Sequence, residues 1–347
     1  NPVSRSWLLI NSLLLLFSLN LTLYPQVETD PSPYPGDSVD DPAIWYNEDH
    51  PEQSVVLGTL KASNLRPVQP TGILVYDLQG REIQFLSGGT PNNIDLRRNF
   101  PAGSKHQTLI AASHWYSEKV GLYEFDPETR QLSLLKLFTT GVRKLRGLCM
   151  ATYQDQFFYF AVGSSGDIEQ YRVDSLDEVT LVNRWELDSE AEGCVADDQR
   201  GLFYVAEENH GIWKIQLDPS ADTTPILIDE VGLFSPIKRG LEGMAILENE
   251  AQRYLIVSVQ EKSRFAIYRL PEEVYLGSFV IKSEDGIDGV TKTDGIDIFN
   301  GSLGPDFPEG LIVVQDDRNE HRPKAQNQNF KFISRQLLLD ALEQIEP

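Results

Sequence analysis

The chain is short of positive charge. Against 52 acidic residues it carries 30 lysines and arginines, which leaves a net charge of −22 over 347 residues. Such a deficit argues against nucleic acid as a partner and suits solubility, cation binding or both. Cysteine is scarce as well: Cys149 and Cys194 have no Cys-x-x-Cys spacing and no nearby histidine, so no zinc or redox motif is visible. The sequence leaves their pairing open. Beyond residue 24 there is no run apolar enough to cross a bilayer. Before it, Arg5 precedes an uncharged, leucine-rich stretch from Trp7 to Leu23, which reads as a secretory leader or, if retained, an N-terminal anchor. The expected organisation is residues 1–24 as signal or anchor and residues 25–347 as one domain. Its address is secreted or periplasmic, with membrane contact only through a retained leader.

What the chain has instead is a weak repeat of about fifty residues. Six units each open with a short strand of small apolar residues, such as Pro42-Ala43-Ile44-Trp45 or Gly193-Cys194-Val195-Ala196. A more hydrophobic strand follows, for example Val55–Leu60 or Leu202–Glu207, and then an alternating one, for example Ile73–Leu78 or Ile212–Leu217. Most units add an edge-like fourth segment. Four antiparallel strands repeated radially predict an all-β fold, a six-bladed β-propeller with a short C-terminal helix over Ser334–Ile345. The closing strand is expected in Thr22–Thr29.

The predicted topology says where chemistry should gather. The start of strand one lies beside the end of strand two, so those positions meet on one face of the ring. They are Asp41 with Lys61, Asn93 with His114 and Trp115, and Arg146 with Ser164 and Ser165 in the first three units. In the last three they are Glu192 with Glu207 and Glu208, Glu242 with Gln260 and Glu261, and Asp294 with Asp316 and Asp317. The acidic half suits calcium, a hard cation that takes several oxygen ligands. Lys61 and Arg146 suit phosphate oxygens. The segment Asp285–Asp297, with four aspartates and three glycines in thirteen residues, is the densest acidic stretch. Its spacing is not that of an EF-hand.

At these residues the chain resembles the β-propeller phytases, calcium-dependent phosphatases of inositol hexakisphosphate. The motifs run from Asp40-Asp41-Pro42-Ala43-Ile44-Trp45 and Asn92-Asn93-Ile94-Asp95 through Glu192-Gly193, Tyr204-Val205-Ala206-Glu207-Glu208 and Glu242-Gly243. They end with Thr293-Asp294-Gly295-Ile296-Asp297, Gln315-Asp316 and Asn327-Gln328-Asn329-Phe330-Lys331. The resemblance implies several bound calcium ions. Asp41 with backbone oxygens near Pro42 and Ile94 would hold one structural ion, and Asp288 with the loop around Asn319 another. Glu192, Glu207, Glu242, Gln260 and Asp294 match the rim that holds catalytic ions, with Glu192, Glu207, Glu242 and Asp294 as the catalytic set. Lys61 matches a phosphate-binding lysine, and Arg146 and His114 join it as substrate-binding candidates. The implied reaction is in-line attack of calcium-bound water on phytate or another phosphoester, without a phosphoenzyme, by a chain acting as a monomer.

Several family positions differ. Ala62 replaces a lysine, His114-Trp115 stands where an asparagine and an arginine are expected, Arg146 replaces a tyrosine, Ser164-Ser165-Gly166-Asp167 replaces a Lys-Glu-Gly-Glu turn, and Gly240 replaces an aspartate. Most losses fall on the phosphate side. Arg146, His114, Lys238 and Arg239, with Arg66 in the insert Ala62–Thr71, are the candidates to replace that charge. The alternative is a non-catalytic propeller that keeps calcium for stability and binds a partner.

Overall fold

Strand two of each repeat is mostly hydrophobic, because a blade packs on a neighbour through both faces. In a computed structural model describing residues 19–61, 69–320 and 325–344, Val55–Leu60, Leu202–Glu207 and Leu311–Asp316 are buried throughout. The outermost strands, such as Glu82–Ser87, are half exposed. Six antiparallel blades form, four-stranded apart from one extra strand, and their innermost strands are Val39–Trp45, Pro91–Ala102, Leu145–Tyr153, Ala191–Asp197, Leu241–Glu248 and Ile296–Phe299. We number the blades one to six in that order.

The apolar core is divided among the blade junctions. One cluster joins blades one and two through Trp45, Val75, Tyr123 and Phe125, and another joins blades six and one through Tyr76, Val313, Phe330 and Phe332. The second of these makes the ring closed. Polar ties lie beside the clusters. Asp41 accepts the Ile94 N–H, Asp95 the Met150 N–H and Asp297 the Ile44 N–H, each from the neighbouring blade. Blades three and four are joined by a Cys149–Cys194 disulfide with a Cα–Cα distance of 6.0 Å. The Arg253–Asp197 ion pair at 2.7 Å joins blades four and five, and Asn300 ties blade six to the Glu248 N–H and Ile246 carbonyl of blade five.

The predicted closing strand is present but short: Val27–Glu28 pairs antiparallel with Asn329–Ser334 and completes blade six. Upstream of it, Leu19–Leu23 runs parallel to Val274–Ile281 as a fifth strand of blade five, with Leu23 buried in the core. The expected leader is thus described only from Leu19, and its earlier residues lie outside the described ones. The C-terminal helix spans Arg335–Glu343. No helix among the described residues is long and apolar enough to cross a membrane.

Candidate active site

Two local features aim side chains at the ring axis. In five blades the register between strands one and two shifts near the start of strand one, between Val39 and Pro42, Pro91 and Ile94, Leu145 and Gly147, Ala191 and Cys194, and Leu241 and Met244. Such bulges bend a strand and re-aim its residues. Glycine then lets the inner strands close in: a methyl group on Gly193 would meet the Glu242 carbonyl, and one on Gly147 the Glu192 carbonyl. The glycine that follows Arg146, Glu192 or Glu242 is thus the spacing device of the rim.

The result is two trios of carboxylates whose oxygens lie within 4.8 Å of one another, Asp37-Asp40-Asp294 and Glu192-Glu208-Glu242. Lys61 sits in the first, bonded to Asp40, 3.0 Å from Asp37 and 3.7 Å from Asp294. Asn92 joins the trios, donating to Asp40 at 2.9 Å and to Glu192 at 2.7 Å. Arg146 is 3.4 Å from Glu190 and Glu192, and its guanidinium lies 5.0 Å from the centre of the Trp115 ring. Gln260 donates to Asp294.

Burial and crowding make these acids hard to ionise together. Burial first, and then Asp40, push Glu192 up to about 7 against the pull of Arg146 and Lys61. Burial, Glu190 and Glu192 push Glu208 up to about 8. Glu242 and Asp294 are raised well above their ordinary values, chiefly by burial. Burial alone would lower the Lys61 ammonium, but Asp40, Asp294 and Asp37 outweigh it and hold it well above the lysine range. Such a cluster takes up protons or a cation. The donor set, carboxylate oxygens with a nearby carboxamide, fits a hard metal ion.

Three predicted residues do not join the rim. Glu207 is 1 % exposed and accepts the Ser189 hydroxyl at 2.6 Å and the Trp213 indole N–H at 2.8 Å, so both its oxygens are used inside blade four. Its neighbour Glu208 takes the place in the trio. His114 is buried between the Thr90 N–H and the Tyr123 hydroxyl, and burial lowers it to about 4, so it is a neutral packing group and no phosphate-binding cation. Lys238 is spent on the carbonyls of Gly232, Leu233 and Ser235. Ala62 and Arg66 lie outside the described residues.

The remaining candidates lie away from the trios. Asp41 faces a cavity of about 180 Å³ on the axis, together with Ile94, Asp95, Arg97 and Asp297. Its carboxylate meets the Ile94 N–H at 2.9 Å. Asp288 holds the fully buried Lys331 ammonium, which also meets Glu28 and lies 3.7 Å from Asp316. Asn319 donates to the Asn327 carbonyl, while its own side-chain oxygen is buried without a hydrogen-bond donor among the described residues.

Asp37, Asp40, Asn92 and Glu208 are the rim residues that the motif reading left out of its site. The Asp40-Asp41 and Glu207-Glu208 doublets were the available signal, but in each the bulge and the neighbouring blade decide which acid faces the opening.

Comparison with known proteins places the chain in a family. The chain is 33 % identical over 321 residues to a 3-phytase from Bacillus subtilis (strain 168), covering 88 % of this chain and 82 % of that protein. Among solved structures, a functionally unknown protein from Desulfotomaculum acetoxidans DSM 771 superposes with a TM-score of 0.48 at 15 % identity, covering 68 % of this chain and 70 % of that one. The sequence profile described as Phytase matches residues 10–346, and the chain belongs to the phytase family.

Proposed function

We propose that the chain hydrolyses the phosphate monoesters of phytate in a calcium-dependent reaction at the carboxylate rim. The observation that carries this reading is the Glu192-Glu208-Glu242 trio standing beside Lys61 and Arg146 in one opening. Glu192, Glu208 and Glu242 would hold the ion, with Asp294 and Gln260 at its edge. Calcium, when bound, supplies the charge that phosphate oxygens need in the transition state. Lys61 binds phosphate as a point charge, and Arg146 offers a planar fork kept in orientation by the Trp115 ring and the two glutamates. Asn92 fixes the distance between the trios.

The reading needs no covalent nucleophile from the protein. Both cysteines are in the disulfide and His114 is enclosed away from the rim, which supports attack by water. Further ions at Asp41 and in the Asp288 and Asn319 region would serve stability. The disulfide supports an exported location, because such bonds persist in oxidising compartments.

The test is phosphate release from phytate by the purified chain near neutral pH, with calcium titrated upward from excess chelator. Release that rises with calcium and vanishes in chelator is expected. A folded, calcium-bound chain that releases no phosphate would overturn the reading and favour a calcium-stabilised binding propeller.

A further inference from the structure

The two trios are in different electrostatic states. In the aspartate trio one ammonium already touches every member, and Lys61 is mostly buried there, with 13 % of its side chain exposed. The inner members have further donors, Asn92 on Asp40 Oδ2 and Gln260 on Asp294 Oδ1. The glutamate trio is filled far less. Glu192 meets Asn92 and, at 3.4 Å, Arg146. Glu242 is 7 % exposed, and neither it nor Glu208 receives a side-chain hydrogen bond among the described residues.

An oxygen cage closed on an ammonium offers few lone pairs to a second cation. Charge repulsion adds to that, since a divalent ion a few ångströms from Lys61 would meet a like charge in a poorly solvated site. The glutamate trio meets a cation only at its edge, where Arg146 stands 3.4 Å from Glu192, and a buried carboxylate such as Glu242, with no hydrogen-bond donor among the described residues, is costly unless a cation or proton arrives.

We infer that the trios are loaded in different ways. The glutamate trio seats the resident metal ion, whereas Lys61 is the built-in cation of Asp37-Asp40-Asp294, and a metal ion enters that trio only when a phosphate draws Lys61 away. The inference rests on the calcium phosphatase reading above and gives Lys61 two alternating partners, the aspartate trio and the substrate. Cation occupancy of the rim then depends on substrate.

Calcium titrated calorimetrically into the wild-type chain and into Lys61→Met, each with and without myo-inositol hexakissulfate as a non-hydrolysable polyanion, tests this. Lys61→Met is expected to bind one more calcium ion than wild type, or to bind its weakest ion at least about tenfold more tightly. Wild type should gain that ion when the polyanion is present, and Lys61→Met should gain nothing further from it. Equal stoichiometry and affinity in the two chains would overturn the inference. Should Lys61→Met not fold, the wild-type titrations decide alone: an added ion with polyanion supports the switch, and an unchanged count rejects it. Phosphate release by wild type, assayed in parallel, keeps the two readings apart, because a chain inactive on phytate still reports its ion count.

Discussion

Six carboxylates crowd the rim and three more, Asp41, Asp95 and Asp297, stand in the channel. Asp40, Asp41, Glu192 and Glu242 are buried and Asp37 is exposed, yet the two groups differ less in burial than in how they are held. Each channel aspartate accepts a backbone N–H of the adjacent blade, at 2.7 to 2.9 Å. Asp95 is further neutralised by Arg97 at 3.1 Å. On the rim Glu208 and Glu242 have no such donor among the described residues, and their charged neighbours are other acids apart from Arg146 beside Glu208. A carboxylate satisfied by backbone amides fixes geometry, whereas one left facing its own kind stores affinity for a cation. The same residue type, a few residues apart in each repeat, thus builds the ring in one place and prepares a binding site in the other.

That contrast breaks most visibly at the Glu207-Glu208 pair. Glu208→Gln is expected to lower turnover by about a hundredfold to a thousandfold, the scale of a lost electrostatic partner in a transition state, with the fold intact. Glu207→Gln should keep turnover and cost stability by about 1 kcal/mol, because it weakens the bonds to Ser189 and Trp213. Steady-state kinetics with urea unfolding of both variants reads the outcome. The reverse pattern would put Glu207 back in the site.

Removing a channel aspartate should do the opposite of removing a rim glutamate. Asp297→Ala leaves the buried Ile44 N–H without its acceptor, and a lost charged bond of that kind costs about 1.5–3 kcal/mol. Urea denaturation is expected to show that loss, while activity per folded molecule stays near wild type. A stable variant with collapsed turnover would mean that the channel takes part in the reaction.

The smallest effect is one of pH, and its sign follows from the raised acids. Where native pKa values lie above unfolded ones, the folded state keeps protons that the unfolded state has already shed, so stability falls as pH rises. For Glu192 and Glu208 the contribution is complete below the ordinary glutamate value of 4.5 and is lost as pH climbs through about 7 and about 8. In chelator, thermal stability should therefore decline across that window, and saturating calcium should flatten or reverse the decline, since an ion bound only to the folded state stabilises it. A decline of the same steepness with calcium present would show that no ion replaces the protons.

Much of the ring was legible along the chain. The six strand triplets, the acid-Gly starts of the last three units and the position of the C-terminal helix all depend on local hydrophobicity and turn chemistry, which a single strand or hairpin already expresses. The acidic half of the rim was legible for the same reason. The enclosure of His114 was not legible, because the groups that enclose it, Thr90 and Tyr123, lie elsewhere in its blade. The partners of Lys238 are local instead, since its ammonium is occupied by the turn of its own loop.

The sequence by itself therefore determined the repeat, the strand order within each blade and the collection of acids at the strand ends, because period and turn propensity are properties of consecutive residues. Only the tertiary structure decided which acid of each doublet faces the opening, that Cys149 meets Cys194, and that Lys61 closes one carboxylate trio while the other is left open. Those outcomes depend on bulges that re-aim a side chain and on partners contributed by other blades, distances that no spacing along one chain encodes.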